Sequence, residues 1–310
     1  MSSPSTPGPA GMNPGLRLAI RLIIAAIAVI ALILPLTGAI IDFTKRVNTY
    51  ETSETVDLPE TMSELVVDAS NARVRIVTTP GKTGSVSFHY RGSSAEDPAV
   101  SVDVSGGVTT VGLTGLGDSV LGGGNDRVTL TVEVPESQAQ ELDVTSTSNF
   151  ARTSIDGTYR GIVAETNSGY LEADVVADSL RLQTSTGAVR ASGRVGTADF
   201  DTQFGAVEID DLSVAKKLTV DTDTGGVEAR LGTRTLPTEG IDINGKTGAV
   251  ELFVPEIVDV EDTEATGYRL STRSTSGRVD IAIDEAPASA EVVIPITLDA
   301  TSGSVSIAYR

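Results

Sequence analysis

The chain has 310 residues, enough for a large core, and carries 42 acidic against 23 basic side chains, a formal net charge of −19. That balance argues against a nucleic-acid partner and offers no basic patch for anionic lipid. With no cysteine, no tryptophan and His89 as the only histidine, disulfide frameworks, thiolate metal sites and most triad chemistry are excluded as well.

Residues 1–21 open on a Pro-, Gly- and Ser-rich stretch without apolar period and end on Arg17 and Arg21. They read as a disordered cytoplasmic tail. Leu22 to Ile41 then contains no charge. As a helix this segment spans roughly 30 Å, the thickness of a bilayer core. The expectation for 22–41 is a transmembrane signal anchor, with Arg17 and Arg21 retained on the cytoplasmic side. A cleaved signal peptide using Thr37-Gly38-Ala39 is the alternative, and Lys45 and Arg46 weaken the orientation signal. Both readings put the rest of the chain outside the cytoplasmic membrane, so the expected localisation is a single-pass cell-membrane protein with an extracytoplasmic C-terminal domain. Residues 42–57 read as a polar stem. Leu58-Pro-Glu-Thr-Met62 shares four residues with a sortase signal, but Met62 replaces the glycine and no hydrophobic tail follows.

Residues 58–141 read as a first coil plus an antiparallel β cap. Leu65, Val67, Val74 and Ile76 alternate about a turn at Ala72. Alternating runs at Ser85–Tyr90, Val100–Val104, Val108–Leu113 and Val128–Val134 are separated by glycine-rich turns and read as hairpins.

From 142 to 310 one pattern recurs: an apolar-x-apolar strand, a Ser/Thr-rich turn ending in glycine, and a second short strand. Its copies centre on Gly169, Gly187, Gly205, Gly225, Gly248, Gly277 and Gly303. Seven residues before each glycine stand Ile162, Leu180, Ala198, Leu218, Ile241, Leu270 and Ile296. Two after it stand Leu171, Val189, Val207, Val227, Val250, Val279 and Val305. The columns five before and four after are apolar in almost every copy. A spacing of two on either side of a turn is the period of strands with one buried face. A repeat that starts at eighteen residues and drifts upward is how a solenoid with loop insertions reads. Leu142, Val144, Ala151 and Thr153 fit as a degenerate copy with Asn149 at the corner, giving nine coils in all. The expected fold class is all-β: a right-handed parallel β-solenoid with an N-terminal antiparallel hairpin region, preceded by one transmembrane helix. The glycines are expected at corners that need positive φ.

The apolar N-terminal segment, the first strand Leu65–Ile76, the passage Val128-Thr-Leu-Thr-Val-Glu-Val-Pro135 leading into Leu142-Asp-Val-Thr, and the serial T-x-x-G-x-V coils resemble a known family. It is the bacterial "putative adhesin" domain family, membrane-anchored β-strand-repeat proteins of the cell envelope, and the resemblance covers residues 56–310. It implies an architecture and no reaction, so no catalytic residue carries over and no cofactor is expected.

Chemistry is sought in the outward positions. Three residues after each glycine stand Glu172, Arg190, Glu208, Glu228, Glu251, Asp280 and Ser306. Coils stack about 4.8 Å apart, so Glu208, Glu228 and Glu251 should form a ladder of like charge. A cation-binding face is the sharp reading and a solvated, aggregation-resistant face the bland one. Asp221-Thr-Asp-Thr-Gly-Gly226 begins like an EF-hand loop, but Gly225 stands where a third acidic ligand belongs. The metal candidates are therefore Asp221, Asp223, Glu208 and Glu228. Leu121 to Thr129 approaches a calcium nonapeptide, as a single copy without its first glycine. The inner turn column Thr166, Thr184, Thr202 and Thr222 reads as a structural hydroxyl ladder. A polysaccharide-active β-helix enzyme could draw on Asp199, Asp201 and Asp221, but there is no aromatic platform for sugar rings. The favoured reading is non-enzymatic: a surface-presenting module for adhesion or envelope sensing. Its expected partners are the membrane through 22–41 and an envelope protein or polysaccharide. A calcium-dependent binding protein is the other alternative.

Overall fold

The computed structural model describes residues 50–92, 98–114, 127–257, 266–288 and 290–310. Glu51–Arg310 is the second of the two units into which the chain divides. The tail at 1–21 and the expected membrane span at 22–41 lie outside the described residues. Among the described residues no helix is long and apolar enough to cross a membrane.

The second unit is all-β with stacked coils, as the columns require. β8 (Asp143–Thr158) pairs in parallel with β9 (Gly161–Thr224), Val144 opposite Ile162 and Thr153 opposite Leu171. β9 is one extended path of 64 residues that winds back alongside itself. Next come β10 (Val227–Leu231), β11 (Gly240–Thr247) and β12 (Val250–Val254), each in parallel register with the coil before it. Leu180, Leu182, Val189 and Ala191, the inner positions of one copy, are all buried, as are their equivalents through Leu252. Each coil is thin, so neighbouring coils supply most of the packing surface.

The order of coils in space differs from their order in the chain at both ends. β15 (Val292–Ser302) and β16 (Val305–Tyr309) form the last coil of the sequence, yet they lie between the Gly248 coil and the Gly277 coil. β16 pairs with β12 on one side and with β14 (Val279–Ala282) on the other. β15 likewise sits between β11 and β13 (Thr266–Ser276). At the other end β2 (Glu64–Asp68) and β3 (Arg73–Thr79) are the first coil of the sequence. They are flanked inside by β8 and outside by β6 (Val108–Thr114) and β7 (Arg127–Pro135), all in parallel. A short helix, α1 (Glu136–Ala139), then carries the chain from β7 to β8. Coils of a solenoid ordinarily stack in chain order, and here that order is exchanged at both ends. Every column repeats the same residue types, so nothing in a column says which copy is its neighbour.

The four runs expected as hairpins are strands, but antiparallel pairing describes only one side of two of them. β5 (Ala99–Ser105) pairs antiparallel with β6 through the Gly106-Gly107 turn, and β4 (Ser85–Gly92) pairs antiparallel with β7. On their other sides β6 and β7 are an ordinary parallel coil. Residues Tyr50–Asp57, expected within the stem at 42–57, form β1, the neighbour of β4. Leu58 and Met62 of the sortase-like stretch are buried in the core. The lone histidine is a surface cross-strand residue: His89 lies 3.3 Å from Glu51 and 2.9 Å from the Ser53 hydroxyl.

Two details of the repeat also change. The degenerate copy is shifted by two residues, since Ala151, not Asn149, lies opposite Gly169. Its inner positions are therefore Val144, Ser146, Thr153 and Ile155, two of them hydroxylated. Ser146, Ser148, Thr153 and Thr166 are buried with no protein partner for their hydroxyls. The glycines have a second cause. Gly187, Gly225, Gly248 and Gly303 have positive φ, whereas Gly169, Gly205 and Gly277 do not. A Cβ on Gly205 would nevertheless overlap the carbonyl oxygen of Gly187, and one on Gly277 would overlap that of Gly303. Glycine is needed because one backbone stacks directly on the next.

Candidate functional site

The acidic column is in the expected register but is not an open row of carboxylates. Glu208, Glu228 and Glu251 are directly opposite one another, followed by Ser306 and then Asp280. Arg190 lies 3.4 Å from Glu208 and 3.8 Å from Asp210, and Arg230 pairs with Glu228. Arg230 also covers the Phe253 ring, as Arg152 covers Tyr170 while bonding Glu172 at 2.5 Å. Glu251 alone of the three has no cationic partner among the described residues. Arg190 belongs to the column itself, and because every second position of a strand faces outward, Arg230, two residues along from Glu228, reaches the column as well.

Asp221 and Asp223 stand before the Gly225 corner, on the strand that pairs with β11, in extended backbone at the end of β9, so their carboxylates do not converge as in a calcium loop. Asn244 Nδ2 donates to Asp221 at 3.0 Å, and Lys246 Nζ donates to Asp223 at 2.5 Å. Among the described residues no group of three or more His, Asp or Glu side chains is placed to hold a metal ion. Asp199 is 3.5 Å from Arg181. Between these groups Asp201 titrates above the usual carboxylate range, because of burial first and then the charges of Asp221 and Asp199. Leu121 to Asp126 of the nonapeptide-like stretch lie outside the described residues. In the threonine column the Thr202 hydroxyl donates to that of Thr222 at 3.0 Å, and Thr184 donates to the Thr186 carbonyl at 3.2 Å. This is a structural use of hydroxyls at a turn.

A different site is built by the second corner of the coil. Six residues beyond the glycine column stand Gly157, Val175, Gly193 and Asp211, spaced by eighteen. Gly157 and Gly193 have φ of +129° and +105°, and a Cβ on Gly193 would overlap the Val175 carbonyl. Asp211 is the one non-glycine residue with positive φ among those described, at +56°. It is also the extra residue of a bulge: Arg230 faces Asp210 but Leu231 faces Leu212. Aspartate tolerates this left-handed conformation better than most residues. The C-terminal Arg310 guanidinium holds it, donating to Asp211 Oδ1 and, at 3.1 Å, to the Leu231 carbonyl.

Turning the backbone this way opens a groove of about 540 Å³ along the corner. Arg194 and Arg234 line it, with Asp174, Asp210 and Asp211. Asp210 and Asp211 are each taken by an arginine, Arg190 and Arg310. Arg194, Arg234 and Asp174 make no ion pair among the described residues. The groove therefore presents two uncommitted guanidinium groups and one free carboxylate, with no aromatic side chain in its lining. Sequence reasoning missed it because it looked three positions past each glycine rather than six. Gly157 and Gly193, thirty-six residues apart, were the available signal.

A family model described as Toastrack DUF4097 matches residues 62–310. The chain belongs to the Toastrack DUF4097 family. Its match starts at Met62, two residues before β2, and runs through all the coils to Arg310. Solved structures similar to the Toastrack chain include a "putative adhesin" from Bacteroides fragilis NCTC 9343, at 12% identity and TM-score 0.43, covering 84% of this chain and 97% of that one. A "putative adhesin" from Parabacteroides distasonis ATCC 8503 is similar at 12% identity and TM-score 0.45, covering 83% and 97%. A "putative lipid binding protein" from the same organism has 10% identity and TM-score 0.35, covering 83% and 96%. No curated protein matches the Toastrack chain.

Proposed function

We propose that this Toastrack chain is a non-enzymatic, surface-presenting module of the bacterial envelope, acting in adhesion or envelope sensing by contact with an envelope protein or polysaccharide. The observation that carries the reading is the second-corner groove. Its two unpaired arginines, on a rigid stack of coils, suit a partner that bears carboxylate or phosphate groups. A catalytic use would need two free carboxylates facing each other across roughly 5–10 Å. In the groove two of the three acids are already held by arginine, which favours binding over catalysis. The membrane anchor at 22–41, with the C-terminal domain extracytoplasmic, belongs to this proposal, as does the right-handed sense of winding, which follows the usual hand of parallel crossovers.

The test is crosslinking in intact cells, with a photoreactive residue at Thr158 in the groove and another at Lys82 far along the chain. A partner captured from Thr158, not from Lys82, and lost in the Arg194→Ala/Arg234→Ala variant supports the reading. Capture unaffected by that variant contradicts the groove. Carbonate extraction of membranes tests the anchor: release of the uncleaved chain into the supernatant contradicts it.

A further inference from the structure

The Gly277 coil ends the stack with an open edge. β14 pairs with β16 on one side, and among the described residues nothing pairs with its other side. Val279 and Ile281 continue the inner columns, but they are 40% and 46% exposed, against 1% for Val305 and Ile307 one coil inward. The neighbouring strand β13 is partly shielded: Tyr268 bridges to Glu285, and the Ala286 amide donates to the Tyr268 carbonyl at 2.7 Å. The exposed apolar edge is thus concentrated on β14. Edge strands are usually blunted by charges that would be buried or opposed on pairing. Here the charges are arranged differently. Arg278 and Asp280 flank Val279 on its outward face, 3.7 Å apart and largely exposed.

We infer that β14 is a self-association edge, at which two copies of this chain pair antiparallel about Val279. In that register Arg278 of one copy stands opposite Asp280 of the other, twice, by the two-fold symmetry of an isologous contact. Val279 meets Val279. Over the three residues 278–280 each cross-strand pair is then either apolar or oppositely charged. Shifting the register by one residue opposes inward and outward faces, because side chains alternate with a period of two. Centring it on Asp280 sets the two Asp280 carboxylates against each other. The contact is one short ladder, so the dimer is weak and concentration-dependent.

The experiment uses the full-length chain, which contains no cysteine. Val279→Cys is expected to form a disulfide-linked dimer under mild oxidation, and Lys82→Cys, at the far end of the stack, is not. Equal crosslinking of the two overturns the proposal. Sedimentation velocity across a wide concentration range should show a monomer–dimer equilibrium that Asp280→Arg weakens by roughly tenfold or more, by opposing like charges. The exchanged variant Arg278→Asp/Asp280→Arg should restore it. A wild-type chain that is monomeric throughout, an unaffected Asp280→Arg or a failed restoration each contradicts the register.

Discussion

The two ends of the coil stack solve the same problem to different extents. At both, the terminal coil of the sequence is tucked one layer in, so neither β2–β3 nor β15–β16 is left at an edge. At the N-terminal end the outer coil β6–β7 is then covered by the antiparallel strands β4 and β5. Phe88, Tyr90, Leu130 and Val132 fill that cap, all 0–1% exposed. At the C-terminal end nothing described covers β14. A solenoid end needs a cap only where it must remain monomeric, so the bare end is where the fold leaves room for a contact.

That contrast can be broken most strongly in the cap. Phe88→Ala should cost about 3–5 kcal/mol, whereas Ile281→Ala at the open end should cost under about 1 kcal/mol, both by denaturant unfolding. Leu298→Ala, in the last coil of the chain but buried within the stack, should behave like an interior residue and cost about 2–5 kcal/mol. Between the ends, Gly187→Ala drives a methyl into the Gly169 carbonyl and should cost about 2 kcal/mol or more. Gly226→Ala, whose Cβ would meet only the Ala249 carbonyl at 3.6 Å, should stay within about 0.5 kcal/mol. Thr153→Val removes a buried hydroxyl without a partner and should stabilise by about 0.5–1 kcal/mol.

The smallest effect concerns Asp201. Its folded pKa lies above the ordinary value, so the folded state binds this proton more tightly than the unfolded chain does. Its ionised form therefore weakens the fold at neutral pH, and that penalty is relieved as pH falls through the folded value toward the unfolded one. Asp201→Asn should raise the melting temperature slightly at pH 7 and lose that advantage in acid.

The coil itself was legible because Leu180, Leu182, Val189 and Ala191 recur in kind, and stacking demands that they do. The first coil was read in its true register from Leu65, Val67, Val74 and Ile76. The degenerate copy was read two residues out because Ser146 and Thr153 occupy inner positions where apolar residues were sought. The interchange of coils was not legible, since Val279 and Val305 satisfy the same column equally well. Only the three-dimensional path of the connections selects the neighbour. Asp221, Asp223, Glu208 and Glu228 lie at the surface, but their partners lie two residues along or one coil away, at distances a linear pattern does not state. The groove depends on backbone turns at Gly157, Gly193 and Asp211, which leave little mark on side-chain periodicity.

Hydrogen exchange of the dilute full-length chain, read strand by strand, tests the interleaved order most directly. With the last coil inside the stack, amides of β16 should exchange as slowly as those of β12, while those of β14 exchange fast. Fast exchange in β16 beside a protected β14 would mean that the coils stack in chain order, and would contradict the account.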